Sequence, residues 1–267
     1  MFRDIFKYNG IFIWLFNIGV EKYWRQEVYA MQDKKENCIV NHIEEILFMI
    51  AQKQDYIILR KQPDPFFLQM LQVYGCEIPQ ILCPSIENEN LSISELVLLD
   101  DELLSKLKIL GNEKAACLVP YGFSENEWKI AQKCQLNYLG GDLDICKKIN
   151  SKAYSRNLAL ECGFTVTKGT ICNSLEEVVR AYQQYSSMNT SVIFKQLYGA
   201  SGSGMFLVNS QSSFNTVMRI IKKFYQNDPA MQWLVELWYT NKTDYNYQLF
   251  LSSEGDVKIF SVTKQNL

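Results

Sequence analysis

Short apolar runs alternate with amphipathic stretches along about the first 120 residues, and this alternation predicts strands and helices in turn. The predicted strands cover residues 11–16, 56–59, 78–82 and 116–119. The predicted helices cover residues 41–53, 64–74 and 92–111 and the segment after Ser124. Strands that alternate with helices favour a parallel sheet, so we predict an α/β fold for this half of the chain.

The pattern changes after Gly140, Gly141 and Asp142, whose turn-forming character indicates a linker. We therefore predict two domains, residues 1–140 and residues 141–267. The second is expected to begin with a helix over residues 151–160, which Gly163 is placed to close in a left-handed conformation. The elements expected after it are a strand at 165–171, a helix from 174, two strands around 199–204, a helix at 212–225 and strands at 233–238, 245–251 and 257–262.

A glycine-rich loop lies between two predicted strands within residues 191–210. It consists of small residues only: Gly199, Ala200, Ser201, Gly202, Ser203 and Gly204. Glycines allow consecutive backbone N–H groups to converge on an anion, and Lys195 supplies a positive charge just before the loop. Taken alone, the loop is compatible with two interpretations, a cradle for a phosphate chain and a flexible hairpin tip.

Three common phosphate-binding motifs do not match this loop. A Walker A motif needs Lys-Ser or Lys-Thr after the last glycine and then a helix, whereas Met205 and Phe206 begin a strand. The dinucleotide fingerprint needs a glycine three residues after Gly204, where the chain has Leu207. A protein kinase places its lysine on the strand that follows the loop, but Lys195 precedes it.

Composition limits the classes of partner. The formal net charge is −2, so we expect neither nucleic acid nor a membrane as a partner. The eight cysteines are scattered without a C-x-x-C spacing, which indicates reduced thiols and a cytoplasmic location. His42 is the only histidine, which excludes a multi-histidine metal site. The apolar run at residues 11–16 is too short to span a bilayer and predicts a buried strand.

Ligands of open parallel sheets bind beyond the carboxyl ends of the strands. Asn17 and Gly19 follow the first predicted strand, and Tyr121 follows the strand at residues 116–119. These three residues are therefore candidates for ligand binding. The alternative is that Asn17 and Gly19 form the turn between the first strand and its helix.

The order of the later elements resembles that of the ATP-grasp superfamily: strand, lysine, small-residue loop, strand, amphipathic helix and a strand with an acid in LVELW. INSKAYSRNLALECGF resembles the region that carries an earlier nucleotide-binding lysine in these enzymes. The segments VPYGFSENEWKIAQ, YLGGDLDICKKINSK and FKQLYGASGSGMFLV have counterparts in peptide ligases of the pheganomycin type. The resemblance implies a Rossmann-like pre-ATP-grasp domain followed by a partial ATP-grasp domain of the α+β class.

The same resemblance implies roles for the two lysines and the loop. Lys152 is expected to bind nucleotide, Lys195 to contact the α- and β-phosphates, and residues 199–204 to close over the nucleotide. The alternative for Lys152 is a solvated position in the first turn of a helix. Lys195 continues a buried apolar run, so its charge needs an anionic partner or a route to water.

Further residues are implied downstream of the loop. Glu236, with Leu237 to Tyr239, is expected at the hinge beside adenine, although pairing with a lysine across the sheet would satisfy this acid equally well. Asp244 is a candidate for ribose binding or for a turn. Lys264 and Gln265 are candidates for phosphate or substrate contact. Together with Lys195, which is expected to contact the phosphates, Lys264 is a candidate catalytic residue.

ATP-grasp ligases phosphorylate a carboxylate with ATP and let an amine displace the phosphate, so the resemblance implies an ADP-forming carboxylate–amine ligase that acts on a small carboxylate and a small amine. Two alternatives stay open: a carboxylate–thiol ligase that loads a carrier protein, and a non-catalytic interaction module. The family holds Mg²⁺ with acids or an asparagine on later strands, and we expect these ligands beyond Leu267. A homo-oligomer is compatible with the sequence.

Overall fold

The structure of the chain is a computed structural model that describes residues 6, 8–24, 43–188, 191–199, 202 and 204–265. The chain divides into two compact units. The first comprises the described residues of Asn9–Thr165 and Gln196–Gly204, and the second those of Met1–Tyr8, Val166–Lys195 and Met205–Leu267. The domain boundary after residue 140 stays a prediction, and His42 lies outside the described residues.

A five-stranded parallel sheet forms the centre of the first unit, in the order β3-β2-β1-β4-β5. Its strands are Phe12–Leu15 (β1), Tyr56–Ile58 (β2), Gln80–Leu82 (β3), Cys117–Pro120 (β4) and Asn137–Tyr138 (β5). The parallel sheet and the α/β class predicted from the sequence are confirmed. The strand β5 is too short to leave a periodic pattern and was not predicted. Strand β1 lies between β2 and β4, and all four of its residues are buried.

The helices of this unit are Glu21–Trp24 (α1), Pro65–Val73 (α2), Ile93–Leu99 (α3), Asp101–Lys114 (α4), Glu125–Cys134 (α5), Leu143–Asn150 (α6) and Lys152–Glu161 (α7). Two predictions were wrong in detail. Ile43–Met49 is a 3-10 helix, and the helix predicted over 92–111 is divided at Asp100. The Asp100 carboxylate accepts hydrogen bonds from the backbone N–H groups of Leu103 and Ser85, so it begins a new helix within an otherwise continuous apolar pattern.

The second unit contains a four-stranded sheet in the order β6-β9-β7-β8. Its strands are Gly169–Cys172 (β6), Val192–Gln196 (β7), Met205–Val208 (β8) and Trp233–Leu237 (β9). Two helices, Leu175–Ser186 (α8) and Gln211–Asn227 (α9), contribute side chains to one core with this sheet. Phe194 and Trp233 are fully buried in that core.

A two-stranded antiparallel sheet completes the second unit and consists of Tyr245–Leu251 (β10) and Val257–Lys264 (β11). Nearly all residues of the two strands are exposed. Large apolar side chains alternate along β10, where Tyr247 is 66% exposed and Leu251 is 60% exposed. The strands lie where the sequence pattern predicts them, with β11 extending two residues further than expected.

Candidate functional site

Lys195 and Glu236 form an ion pair on neighbouring strands of the four-stranded sheet. Lys195 Nζ donates a hydrogen bond of 2.6 Å to Glu236 Oε2. The lysine side chain is 22% exposed and the glutamate side chain 7% exposed. Successive residues of a strand point to opposite faces, and the neighbours Phe194 and Val235 belong to the hydrophobic core. The pair therefore lies on the face of the sheet that is turned away from that core.

Gly169 makes room for this ion pair. Its strand β6 pairs with β9 so that Gly169 lies opposite Glu236. A Cβ atom on Gly169 would lie 2.5 Å from Glu236 Cγ and 2.9 Å from the carbonyl oxygen of Val235. A larger residue would thus displace the glutamate. Sequence reasoning missed Gly169, although a glycine within a strand is a recognised sign of close approach.

The glycine-rich loop joins β7 to β8 as predicted. Gly202 and Gly204 have φ values of 83° and 73°, a region that favours glycine. Gln196 N–H donates to Gly204 O at 2.8 Å and closes the base of the loop. Ala200, Ser201 and Ser203, which we predict to bind nucleotide, lie outside the described residues.

Lys152 contacts the start of this loop. It is the first residue of α7 and half-buried, and its Nζ donates to Gly199 O at 2.8 Å. Its backbone N–H also donates to Leu197 O at 3.0 Å. The structure therefore brings Lys152 together with Gly199, two residues that sequence reasoning assigned to the same ligand through separate motifs.

The remaining candidates lie on or near the last three strands. Leu237 is buried and donates its N–H to Lys168 O at 3.0 Å, whereas Tyr239 is 47% exposed. Asp244 forms an ion pair with Lys242 in the segment before β10. Gln265 and Lys264 are exposed at the end of β11, and Gln265 N–H donates to Asp244 O at 2.8 Å. The structure brings Asp244 and Gln265 together and places Lys264 opposite Tyr245.

At the carboxyl ends of β1 and β4, Asn17 joins two loops. Its Nδ2 donates to Gly122 O at 2.7 Å, and its Oδ1 accepts from Gly122 N–H at 3.0 Å. Asn17 is only 3% exposed. Because Gly122 uses both ends of this amide, we assign Asn17 to the fastening of the two loops rather than to ligand binding.

A cavity of about 390 Å³ lies next to these loops in the first unit. Its lining includes Glu21, Trp24, Tyr121, Phe123 and Gly199. Burial raises the pKa of Tyr121, and the negative charge of Glu21 raises it further. The sequence pointed to Tyr121 but not to Glu21, because a single acid at the start of a four-residue helix leaves no distinguishing pattern.

The part of the chain that the structure describes offers neither a metal site nor a membrane-spanning helix. No group of three or more histidine, cysteine, aspartate or glutamate side chains within those residues could hold a metal ion. Helices within the same ranges lack the length and apolar character needed to cross a membrane.

The sequence is similar to a protein-family model and to known proteins. Residues 44–136 match a protein-family model described as the Pre ATP-grasp domain. Over 267 residues, 98% of the chain, the sequence is 25% identical to butirosin acyl-carrier protein–L-glutamate ligase from Niallia circulans, of which it spans 58%. A shorter match of 95 residues is 33% identical to mitochondrial pyruvate carboxylase from Rattus norvegicus and covers 34% of this chain and 8% of that protein.

Solved structures share the fold. N5-carboxyaminoimidazole synthetase from Staphylococcus aureus, in complex with ADP, aligns with a TM-score of 0.53 and 9% identity over 97% of this chain and 56% of its own. The biotin carboxylase domain of 2-oxoglutarate carboxylase from Hydrogenobacter thermophilus, with MgADP and bicarbonate, aligns with a TM-score of 0.54 and 13% identity over 95% of this chain and 49% of its own. The chain thus spans about half the length of these proteins.

Proposed function

We propose that the chain is an ATP-dependent carboxylate–amine ligase, because residues 44–136 match the Pre ATP-grasp domain and the fold is that of solved ATP-grasp ligases. The proposed reaction joins a carboxylate and an amine into an amide and converts ATP into ADP and phosphate. ATP supplies the phosphoryl group that activates the carboxylate, and the amine then displaces phosphate from the acyl phosphate. The substrates proposed here are a small carboxylate and a small amine.

The observation that carries the proposal is the position of Lys195. The lysine ends a buried strand directly before the glycine-rich loop, and its charge is held on the face opposite the core by Glu236. A cation fixed in this way offers a phosphate oxygen a charge-assisted hydrogen bond without a large cost of ordering the side chain. We propose that Lys195 neutralises charge on the transferred and leaving phosphates during the reaction.

The other residues are proposed to bind and orient the nucleotide. Backbone N–H groups of residues 199–204 are suited to phosphate oxygens, because glycine allows consecutive N–H groups to converge on an anion. Lys152 adds a second cation, and its contact with Gly199 holds the loop. Glu236, Leu237 and Tyr239 are proposed beside adenine, Asp244 beside ribose, and Lys264 beside phosphate or substrate.

Magnesium is the remaining group that the proposed reaction would use. Phosphoryl transfer commonly uses Mg²⁺ held by carboxylates or asparagine. The described residues contain no cluster of acids that fits this ion, so we assign no magnesium ligand and derive no step through the metal. A cytoplasmic location also remains a proposal, based on the free state of the seven described cysteines.

A second candidate differs only in the acceptor. The relative from Niallia circulans is an acyl-carrier protein–L-glutamate ligase, so a carrier protein that bears the acceptor is an alternative partner. We propose that this alternative be tested beside the free amine. A homo-oligomer is compatible with this proposal.

The ligase proposal is tested by identifying the products formed from ATP. The full-length protein is incubated with MgATP, a panel of amino acids as carboxylates and amines, and a phosphopantetheine-bearing carrier protein in a parallel series. We expect ADP and phosphate in equal amounts, released only when a carboxylate and an acceptor are both present. Formation of AMP and pyrophosphate, or the absence of turnover with every pair, would contradict the proposal.

A further inference from the structure

The cavity beside Asn17 and Gly122 has a wall of aromatic rings. Trp24 and Phe123 are almost fully buried and are joined by a 2.9 Å hydrogen bond from Trp24 Nε1 to Phe123 O. The ring of Phe123 stacks on Tyr138, with centroids 4.9 Å apart, so its position is fixed from behind. Tyr121 is 54% exposed and stands at the opening. The rings therefore form a preformed apolar wall, of which Tyr121 is the exposed part.

Two glycines keep these walls close together. A Cβ atom on Gly122 would lie 2.4 Å from Val20 Cγ1, and one on Gly140 would lie 2.7 Å from the ring of Phe123. Both distances are shorter than any ordinary contact, so the backbone passes directly against the side chains that line the cavity. The shape of the cavity thus depends on two glycines, because any side chain at either position would collide with a residue of the lining.

Charged groups of both signs lie at this cavity: Glu21 belongs to its lining, and Lys152 Nζ donates to the carbonyl oxygen of the lining residue Gly199. Among the described residues that line it, Glu21 is the only one with an ionisable acidic or basic side chain of the Asp, Glu, Lys or Arg type. The adjacent Lys22 does not neutralise it, because Lys22 Nζ lies 3.6 Å from Glu95 and 4.7 Å from the ring centroid of Tyr23. Asn150 adds an amide at the rim, whose Nδ2 donates to Cys146 O at 2.8 Å.

A carboxylate beside aromatic faces is selective for a particular chemistry. A cation gains an ion pair with the carboxylate and favourable contact with the exposed ring of Tyr121. A carboxylate or phosphate group placed beside Glu21 would instead meet a like charge, because the cation that contacts the lining, Lys152, is bound to Gly199 O and not to Glu21. The volume of about 390 Å³ falls within the range of about 300–1,000 Å³ that is usual for small-molecule sites.

We propose that this cavity binds a primary ammonium group attached to an aromatic or apolar body, with Glu21 as the partner of the ammonium and Tyr121, Phe123 and Trp24 as the partners of the body. The assignment rests on the proposed function, because such a ligand would be the amine substrate of the ligase. It names Glu21 as a residue that selects the acceptor and gives the first unit a role in substrate binding.

Binding of the amine can be measured in the absence of nucleotide. A chain that binds ATP but not the amine would therefore contradict this proposal alone. The probe is 2-phenylethylammonium at pH 7, titrated into the chain and followed by changes in protein NMR resonances. Its matched analogues are 2-phenylethanol, which has no charge, and 3-phenylpropionate, which is negative. We expect saturable binding of the amine and at least about tenfold weaker binding of both analogues, because a charge-assisted contact is lost.

Substitution of Glu21 tests the role of the carboxylate. Glu21→Gln keeps the size of the side chain and is expected to weaken binding of the amine about tenfold or more. Glu113→Gln removes an equal charge from an exposed position of α4 and is expected to leave binding unchanged. Equal binding by the wild-type chain and Glu21→Gln, or equal binding of the amine and the alcohol, would overturn the proposal.

A second measurement uses a cysteine that lines the cavity and does not require a variant. Cys146 is half-buried there, and burial raises the pKa of its thiol, whereas Cys162 is exposed on the same unit. Bound amine is expected to slow alkylation of Cys146 by at least about threefold at saturation, because it excludes the reagent, while alkylation of Cys162 is unchanged. Equal rates at Cys146 with and without the amine would contradict binding in this cavity.

Discussion

Lys195 Nζ and Glu236 Oε2 lie 2.6 Å apart, although 41 residues separate the two in sequence. The contact exists because β7 and β9 are neighbours in the sheet, and because Gly169 on β6 leaves space beside the glutamate. The ion pair gives a lysine at the end of a buried strand the anionic partner that its sequence context requires. It also keeps the lysine at the base of the glycine-rich loop.

Removal of the lysine alone should destabilise the second unit. Lys195→Met leaves the carboxylate of Glu236, which is 7% exposed, without this cation, and we expect a loss of roughly 1–3 kcal/mol in the free energy of unfolding. The double variant Lys195→Met/Glu236→Gln removes the uncompensated charge and should recover at least half of the loss. Urea denaturation of the two variants and of Glu236→Gln measures the coupling. A change below about 0.5 kcal/mol for Lys195→Met would show that the pair does not matter to the fold.

The stability of the first unit should depend on pH through Glu44. Burial raises the pKa of this carboxyl from its ordinary value of 4.5 to about 7, although Arg60 opposes the shift by donating its N–H to Glu44 Oε2 at 2.8 Å. The folded state therefore binds a proton more tightly than the unfolded state does. This contribution to stability is fully present below pH about 4.5 and is lost as the pH rises through about 7.

We expect the free energy of unfolding to fall by roughly 1–3 kcal/mol from this group between pH 5 and pH 8. Glu44→Gln cannot titrate and should remove this part of the pH dependence, while Glu113→Gln, at an exposed position, should keep it. Chemical denaturation at a series of pH values provides the measurement. Parallel curves for the wild-type chain and Glu44→Gln would show that Glu44 stays ionised in the folded protein.

Much of the fold is predictable from local patterns. Helix starts at Ser92 and Ser124 follow from the spacing of a serine and a glutamate, and both form the reciprocal hydrogen bonds of a capping box. The α/β class and the resemblance to ATP-grasp ligases are confirmed by the parallel sheet, the Pre ATP-grasp match and the shared fold of solved ligases. Helices and strands are predictable in this way because the periodicity and the turn residues that define each of them lie within about ten residues of sequence.

The rest depends on contacts between distant segments. Asp100 divides a helix because its carboxylate is positioned to accept from Ser85, fifteen residues earlier, a partner that no local pattern reveals. The pairing of Lys195 with Glu236 was an open alternative, and only the strand order β6-β9-β7-β8 selects it. Glu21 became a candidate only when the fold placed it beside Tyr121 and Phe123.

Binding of MgATP to the purified chain tests the central proposal most directly. Calorimetric titration is expected to show one saturable site. In the Glu236→Gln background, where Lys195 has no buried acid to neutralise, adding Lys195→Met should weaken binding by about tenfold or more, because a charge-assisted contact to phosphate is lost. Lys222→Met, on the exposed face of α9, removes an equal charge and should leave affinity unchanged. A folded chain that binds no MgATP, or binds it equally well without Lys195, would contradict the account.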